Sequence, residues 1–292
     1  GRSGAGESRA GEELEIAGAP PLSRPHFPVY PNVPLSFTAL NLFVECPARF
    51  YASRVLRLDD DQEDSTTFDP ERQSLIDPDR ATRFGSAVHD ILEKLANRRW
   101  PRELDRNLVT DCLSARGFDP DDSERIGLAT RFVEGFLGSD LGSRVREVEN
   151  SAELPLIIRV GGVTIRGFAD LILDSEPPMV LDYKTNRLDG RTPAQKMGSY
   201  ELQRDLYSLA VARSSGSGTV ESAFVFLEEP NNPVLETFDA AGLADAEARV
   251  EDTLTDITEG RFFGGPQAVN QPCGQCWACE TLSAQRERAL AG

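Results

Sequence analysis

The sequence lacks any apolar run long enough to cross a membrane, which takes about 18 residues, and no secretory leader opens it. We therefore expect a cytoplasmic protein with no membrane contact. Methionine is scarce as well, since only Met179 and Met197 occur and neither lies near the start. This distribution is typical of a segment of a longer polypeptide, although a processed or tagged chain would look the same.

Positive charge is in short supply. The chain has 31 Lys and Arg against 48 Asp and Glu, which gives a formal net charge of −17. Because affinity for nucleic acid comes mostly from counterions that Lys and Arg release, this balance argues against a general phosphate-binding surface. A nucleic-acid function therefore requires metal ions that neutralise a local carboxylate cluster, or a basic partner module that binds the phosphate backbone.

The five cysteines do not suggest a disulfide framework, because their number is odd and no secretory leader precedes them. Cys273, Cys276 and Cys279 form a C-x2-C-x2-C pattern in "PCGQCWACE", and Cys46 precedes a proline far upstream. Short C-x2-C turns let thiolates converge on one centre, and both Zn²⁺ and iron–sulfur clusters accept four such ligands. These four are candidate metal ligands, whereas Cys112 is expected to be a buried apolar residue in a helix.

The 292-residue chain, with 39% hydrophobic and 27% charged residues, is long enough to bury a core and is typical of globular proteins. Residues 1–34 are predicted to be a flexible arm or linker, since they are rich in Gly, Ser and Pro without periodicity. Residues 35–292 are predicted to form one domain with a helical first half. Helical periodicity covers 34–56, with Ser36 or Thr38 as N-cap, then 81–99, 102–114 and 122–136, with an acidic loop at 59–79.

From about residue 144 the pattern becomes β-rich. "AELPLIIRV" and "VTIRGFADLILD" are joined by Gly161-Gly162, which is typical of a β-hairpin. "PPMVLDYKT" predicts a third strand, and a helix over 193–213, two more strands and a helix over 242–260 follow. The sequence therefore predicts an α/β fold with a small mixed central sheet, flanked by helices and preceded by a helical insert.

Charged residues interrupt three neighbouring predicted strands. Glu153 starts one strand, Asp170 lies in the middle of the next, and Asp182 and Lys184 lie on the third. Because a strand projects residues i and i+2 to one face, Asp182 and Lys184 share a surface. A lone pair of this kind is usually a solvated ion pair. A carboxylate among apolar neighbours, such as Asp170, is costly to bury unless it is paired or metal-bound.

The three acids on one sheet therefore indicate a metal site. Mg²⁺ prefers one or two carboxylates together with waters and substrate phosphate oxygens. Such an ion could orient a water, stabilise its deprotonated form and neutralise the charge that builds on a phosphodiester. Lys184 would then hold the attacking water or donate to a phosphate oxygen.

These residues resemble those of the PD-(D/E)XK nucleases, in particular the RecB-like branch found in AddAB and RecBCD helicase-nucleases. "GFAD" and "LDYKT" match the strand pair of that branch residue for residue. "FGSAVHDILEKL" is similar to its G-x-x-x-H helix, "ELPL" to its acid before an apolar pair, and "QRDLY" to its Gln-x-x-x-Tyr helix. The resemblance spans about residues 35–280 and implies a restriction-endonuclease-like core.

The resemblance also implies roles for individual residues, with Mg²⁺ or Mn²⁺ as the catalytic ion. The implied metal ligands are His89, Asp170 and Asp182. The implied catalytic residues are Glu153, Asp170, Asp182, Lys184, Gln203 and Tyr207. Glu153 could equally be an ordinary solvent-facing strand start, and Gln203 and Tyr207 could serve only helix packing.

The cysteine pattern resembles that of AddB-type nucleases and of the cluster-containing nucleases of CRISPR adaptation. These have one cysteine in a Cys-Pro dipeptide of the N-terminal helix and three at the C-terminus. The resemblance implies that Cys46, Cys273, Cys276 and Cys279 hold a structural [4Fe-4S] cluster that braces the domain. The last cysteine spacing is wider in those families than in this chain, so zinc is the alternative.

The expected function is therefore a metal-dependent nuclease that acts on single-stranded or duplex DNA ends. The resemblance implies that it is the nuclease module of a helicase-nuclease in double-strand-break repair, with the helicase in cis or in trans, since the chain itself has no Walker motif. The alternatives are a catalytically idle DNA-end-binding module and a stand-alone single-strand exonuclease of the CRISPR-adaptation type. Trp100, Trp277, Phe262 and Phe263 could stack on bases, although core packing is the simpler use.

Overall fold

The computed structural model describes residues 34–58, 78–101 and 103–281, with side chains from residue 82 onward in the second segment. The predicted arm, except its last residue, and almost all of the predicted acidic loop lie outside these residues. The helices of this part are α1 (Phe37–Glu45), α2 (Pro47–Phe50), α3 (Pro78–Asn97), α4 (Arg106–Ala115), α5 (Ser123–Leu137), α6 (Asp140–Glu147), α7 (Pro193–Lys196), α8 (Glu201–Ser215) and α9 (Ala240–Thr258). The strands are β1 (Leu35–Ser36), β2 (Asn150–Val160), β3 (Val163–Leu173), β4 (Met179–Lys184), β5 (Val220–Phe226) and β6 (Val234–Phe238). Within the described residues, no helix combines the length and the apolar composition that a membrane span requires.

The first predicted helical segment, over 34–56, is interrupted at Cys46. Ser36 is the N-cap of α1, since its Oγ accepts a hydrogen bond from the Ala39 N–H at 3.0 Å. The helix ends at Cys46, which is extended with a φ of −162°. Pro47 explains this break, because a proline disfavours the helical conformation of the residue before it. The helical segment resumes at Pro47 and continues through α2 and a π-helical turn at Tyr51–Val55.

A mixed six-stranded sheet lies at the centre of the described residues. β2 and β3 form the predicted hairpin, which turns at Gly161 and Gly162 with φ angles of 53° and 82°. β4 is antiparallel to β3 and parallel to β5, β6 is antiparallel to β5, and β1 adds a short parallel pairing to β3. The predicted α/β fold class is confirmed. The sequence analysis missed α6, and the predicted helix over 193–213 is interrupted by a 3₁₀ turn at Met197–Tyr200.

Helices cover both faces of the sheet, each over its own apolar core. One core joins α1, α8 and α9 to the sheet and includes Val180 of β4. The other joins α3, α4, α5 and α6 to the sheet and includes Leu181 and Tyr183 of the same strand. By this alternation Asp182 faces the α8 side of the sheet, while Tyr183 faces the α3 side.

Two glycines permit close contacts that position the functional residues. Gly167 in β3 lies against the buried ring of Phe37, where an added Cβ would come within 2.4 Å of Cδ2. Gly85 in α3 lies against Thr185, just after β4, where an added Cβ would be 2.8 Å from Oγ1. Because His89 follows Gly85 by about one helical turn, this close approach brings the imidazole onto the sheet.

Candidate functional site

Three potential metal ligands meet where α3 crosses the β2–β3 hairpin. His89 comes from α3, Glu153 from β2 and Asp170 from β3, the strand paired with β2. His89 Nδ1 is 3.2 Å from Asp170 Oδ1, and one ligand atom from each of the three residues lies within 4.8 Å of the others. We call these residues the three-ligand group. Their spacing suits the coordination shell of one ion.

The backbone of Glu153 is unusual for a strand. Its φ is 49°, in the left-handed region that residues other than glycine rarely adopt. Strained conformations of this kind cluster at functional sites, where the surrounding structure holds them. The conformation therefore supports a functional role for Glu153 over that of an ordinary strand start.

The electrostatics of the three-ligand group favour a positive charge. Burial lowers the pKa of His89, but the charge of Asp170, a hydrogen bond to it and the charge of Asp182 outweigh burial and raise the pKa to about 9. Burial and the charge of Asp170 also raise the pKa of Glu153. The carboxylates thus attract a cation to this point, which a proton on His89 or a divalent ion can supply.

A hydrogen-bonded network lies beside the three-ligand group, on the α8 side of β4. Gln203 is its centre: Nε2 donates to Asp182 Oδ1 at 2.9 Å and to Tyr207 Oη at 2.6 Å, and Oε1 accepts from Lys184 Nζ at 2.9 Å. Lys184 Nζ also lies 2.7 Å from Asp182 Oδ2, so the two side chains share a face as predicted. The contact is a short ion pair between two side chains that are 12% and 3% exposed.

Asp182 lies in the network, and it is also one of the metal ligands that the resemblance implies. The resemblance implies that it binds metal together with His89 and Asp170. The structure instead brings Glu153 into the three-ligand group, while the carboxylate of Asp182 is 2% exposed and faces its lysine and glutamine partners. Burial raises the pKa of Asp182 to about 6, although the neighbouring ammonium opposes the shift. Asp182 thus contacts Gln203 and Lys184, whereas the three-ligand group consists of His89, Glu153 and Asp170.

The sequence analysis missed three groups that connect and support these side chains. The backbone N–H of Tyr183 donates to Asp170 Oδ2 at 2.7 Å, which joins the network strand β4 to the three-ligand group. Lys184 Nζ lies 4.5 Å from the ring centroid of Tyr200. Asn41 Nδ2 donates a hydrogen bond to Gln203 Oε1, at the centre of the network, at 3.5 Å. A backbone donor leaves no signal in a sequence, and Asn41 is distant along the chain.

A cleft of about 1590 Å³ opens over the three-ligand group. Its walls come from α3, α5 and the segments that follow β4 and β5. Arg125, Arg131 and Arg187 line it, together with Arg116, which donates to both carboxylate oxygens of Asp90 at 2.8 Å. The cleft thus places arginines beside the candidate metal ligands of an acidic chain.

The four candidate cysteines meet at one point, as the sequence predicts. Cys46 Sγ lies 3.4 Å from Cys279 Sγ and 3.7 Å from Cys276 Sγ, and Cys273 Sγ lies 3.9 Å from Cys279 Sγ. All four sulfurs lie within 4.8 Å of one another, and all four thiols are free. We call these residues the cysteine centre. Cys112 lies apart from it and is fully buried, as predicted.

The thiols of the cysteine centre differ in their acidity. Burial raises the pKa of Cys279 to about 12 and also raises that of Cys276. A backbone hydrogen bond from Gln275 is the main cause that lowers the pKa of Cys273 to about 6. Four thiolates at this spacing repel one another, so a bound cation is required for all of them to ionise.

The sulfur spacing fits one tetrahedral ion. Zinc–sulfur bonds are about 2.3 Å long, and the edges of a tetrahedron with that radius are about 3.8 Å. The three measured sulfur pairs, at 3.4 to 3.9 Å, lie around this value. In a [4Fe-4S] cluster each cysteine binds a different iron, so the sulfurs stand farther from the common centre and from one another. The donor set suits either group, but a cluster would require the four sulfurs to spread.

Comparisons with known proteins give one family and two solved structures. The family model of the PD-(D/E)XK nuclease superfamily matches residues 34–281. A solved protein from Eubacterium rectale with a provisional exonuclease description is 12% identical with a TM-score of 0.48, covering 85% of this chain and 87% of that one. The solved protein SSO0001 is 16% identical with a TM-score of 0.27, covering 64% of this chain and 81% of that one. The search of curated proteins finds no match.

Proposed function

Because the chain belongs to the PD-(D/E)XK nuclease superfamily, whose model matches residues 34–281, we propose that it is a metal-dependent deoxyribonuclease that hydrolyses phosphodiester bonds at DNA ends. The observation that carries the proposal is the junction of the three-ligand group with the network. Tyr183 N–H links them at Asp170, so a metal site and a lysine lie on adjacent strands. The motifs that carry both groups resemble the RecB-like branch, to which we assign the chain.

The three-ligand group offers one imidazole and two carboxylates, a donor set that suits Mn²⁺ or Mg²⁺. When bound there, such an ion lowers the pKa of a water and neutralises charge on the phosphodiester. Lys184 has three N–H donors, of which one reaches Gln203 and another faces Asp182 Oδ2. The remaining capacity serves to hold the attacking water or a phosphate oxygen. Asp182 and Gln203 are positioning residues, because both contact the ammonium of Lys184 and hold it in place.

The proposal includes the setting in which the domain works. We place residues 35–292 in one nuclease domain and propose a helicase partner in cis or in trans. A chain of net charge −17 has little electrostatic affinity for DNA, so a helicase that delivers the DNA to the nuclease site would compensate for it. A cytoplasmic location fits the four free thiols of the cysteine centre, since a reducing compartment keeps them available for metal. We propose that this centre holds a structural Zn²⁺, with the [4Fe-4S] cluster as the alternative.

Metal binding is expected to be coupled to a proton at His89. The pKa of this imidazole is raised from 6.5 to about 9, so it is protonated at pH 7.5, whereas a ligand must be neutral. Mn²⁺ binding at pH 7.5 should therefore release about one proton, and the affinity should rise about tenfold per pH unit until the pH reaches the pKa. Calorimetry in buffers of different ionisation enthalpy measures the proton count. Release of no proton would contradict the assignment of His89.

The test of the proposed function is cleavage of end-labelled single-stranded and duplex DNA with Mg²⁺ or Mn²⁺. Lys184→Ala is expected to lower the single-turnover rate about 100-fold or more, because it removes the charged donor that we propose for the attacking water or a phosphate oxygen. The matched control is Lys94→Ala, which removes the same charge from α3 outside the cleft and should cleave like the unmodified protein.

Two outcomes would count against the proposal. Equal cleavage by Lys184→Ala and Lys94→Ala would remove Lys184 from the reaction. No cleavage by the folded, metal-loaded protein, alone or together with a helicase, would favour the catalytically idle DNA-end-binding module.

A further inference from the structure

The β2–β3 hairpin has an outward face that carries apolar residues where a solvated strand usually carries polar ones. Alternation along the two strands puts one set of exposed side chains on this face, which we call the hairpin face: Pro155, Ile157, Arg159, Arg166 and Phe168. Phe168 is 59% exposed and Ile157 is 73% exposed. Phe168 lies opposite Pro155, and Arg166 lies opposite Ile157.

The hairpin face continues the surface of the three-ligand group. Phe168 lies two residues from Asp170 on β3, and Pro155 lies two residues from Glu153 on β2, so the hairpin face adjoins the three-ligand group across the left-handed backbone of Glu153. Two residues of strand span about 7 Å, which places the aromatic ring next to the candidate metal site. The cleft over that site ends at Glu153 and Asp170 and does not include Phe168. A polymer bound in the cleft therefore reaches the hairpin face as its next contact.

The charges of the hairpin face suit a phosphate backbone. Arg166 and Arg159 alternate with the apolar residues of this face, and both are exposed. The strands contribute no acid to this face between Glu153 and Gly161. In a chain with net charge −17, an exposed aromatic ring next to Arg166, with Arg159 farther along the same face, is a local exception. Exposed rings beside cations are how proteins bind single-stranded nucleic acid, with bases stacked on the rings and phosphates held by the cations.

We propose that the hairpin face binds a single-stranded DNA segment that extends from the three-ligand group, with one base stacked on Phe168 and the backbone held by Arg166. This inference rests on the proposed nuclease function and specifies its substrate. The strand must be single because the bases of a duplex stack on each other and expose no free face at this position. Trp100 and Phe262, which the sequence analysis named as residues that could stack on bases, are too buried to do so, since Trp100 is 4% exposed and Phe262 is fully buried.

The test measures the binding of a fluorescent oligothymidylate to the full chain by anisotropy, in Ca²⁺ and with the oligonucleotide checked to be intact. Phe168→Ala is expected to weaken binding about 10-fold, while Phe168→Trp retains it, because a base stacks on any aromatic ring. The matched control is Leu235→Ala, which truncates an equally exposed apolar residue on β6 and should bind like the unmodified protein. Arg166→Ala should lower the slope of log affinity against log salt by about 0.7.

An abasic tract of the same length and charge separates base stacking from other apolar contacts. If Phe168 stacks on a base, the unmodified protein and Phe168→Ala bind the abasic tract equally. Equal binding of oligothymidylate by these two proteins would overturn the inference, and so would a loss in Phe168→Ala that persists on the abasic tract, as expected if another segment of the chain covers the face. Metal-dependent cleavage by the unmodified protein alongside either result would show that only the inference, and not the nuclease function, has failed.

Discussion

Asparagine in place of Asp170 is expected to lower metal-dependent cleavage at least about 1,000-fold. The substitution keeps the shape of the side chain, and the amide oxygen can still accept the hydrogen bond from Tyr183 N–H. It removes the charge that would bind the divalent ion, and such an ion contributes several kcal/mol to a transition state at about 1.4 kcal/mol per tenfold in rate. Single-turnover cleavage and Mn²⁺ calorimetry on the same samples measure both consequences.

The matched control for this variant is Asp174→Asn. Asp174 is an exposed acid just after β3, and its backbone N–H pairs with the Glu149 carbonyl whatever the side chain is. The control removes the same charge and should keep both metal binding and cleavage. If Asp170→Asn cleaved DNA as fast as Asp174→Asn, the three-ligand group would not be the catalytic metal site.

The second large effect is expected from Cys46→Ala. Cys46 is 2% exposed and contacts two of the other three sulfurs, so its loss should reduce the metal content from about one equivalent to less than about a tenth. The free energy of metal binding to such a site contributes to folding, because the unfolded chain has no preformed site. Loss of the metal should therefore lower the free energy of unfolding by several kcal/mol. At about 2 to 4 °C per kcal/mol for a domain of this size, the thermal midpoint should fall by more than about 10 °C.

Cys112→Ala is the matched control, since Cys112 is equally buried but lies outside the cysteine centre. It should keep its metal and lose only the stability of one truncated core side chain. Elemental analysis for zinc, iron and sulfide, with the visible spectrum, identifies the metal. A colourless zinc protein is expected from the sulfur spacing, and a brown protein that contains iron and sulfide would establish the cluster.

The sequence predicts well what depends on local pattern. The glycine pair predicts the β2–β3 hairpin, alternation predicts that Asp182 and Lys184 share a face, and the cysteine spacing predicts a shared centre. Each of these follows from neighbours within a few residues or from residue chemistry. The joining of Cys46 to the C-terminal cysteines came from family resemblance, because no local rule relates residues so far apart.

Other features depend on tertiary geometry and could not be predicted in this way. The left-handed backbone of Glu153 brings that residue, and not Asp182, to His89 and Asp170, and a glutamate carries no signal for it. The hairpin face is an intermediate case. Phe168 is two residues from Asp170 on β3, but no local pattern distinguishes its ring, which is 59% exposed, from that of a core phenylalanine.

The cysteine centre also changes the topology of the chain. Cys46 and Cys273 are 227 residues apart, and every strand from β2 to β6 lies between them. While the metal stays bound, this stretch is a closed polymer ring even when its helices and strands have melted. A ring has far fewer open conformations than a linear chain, so closure lowers the entropy of the unfolded state. A motor that pulled on the chain before Cys46 and after Cys279 would therefore place force on the metal–sulfur bonds before it could unfold strands β2 to β6.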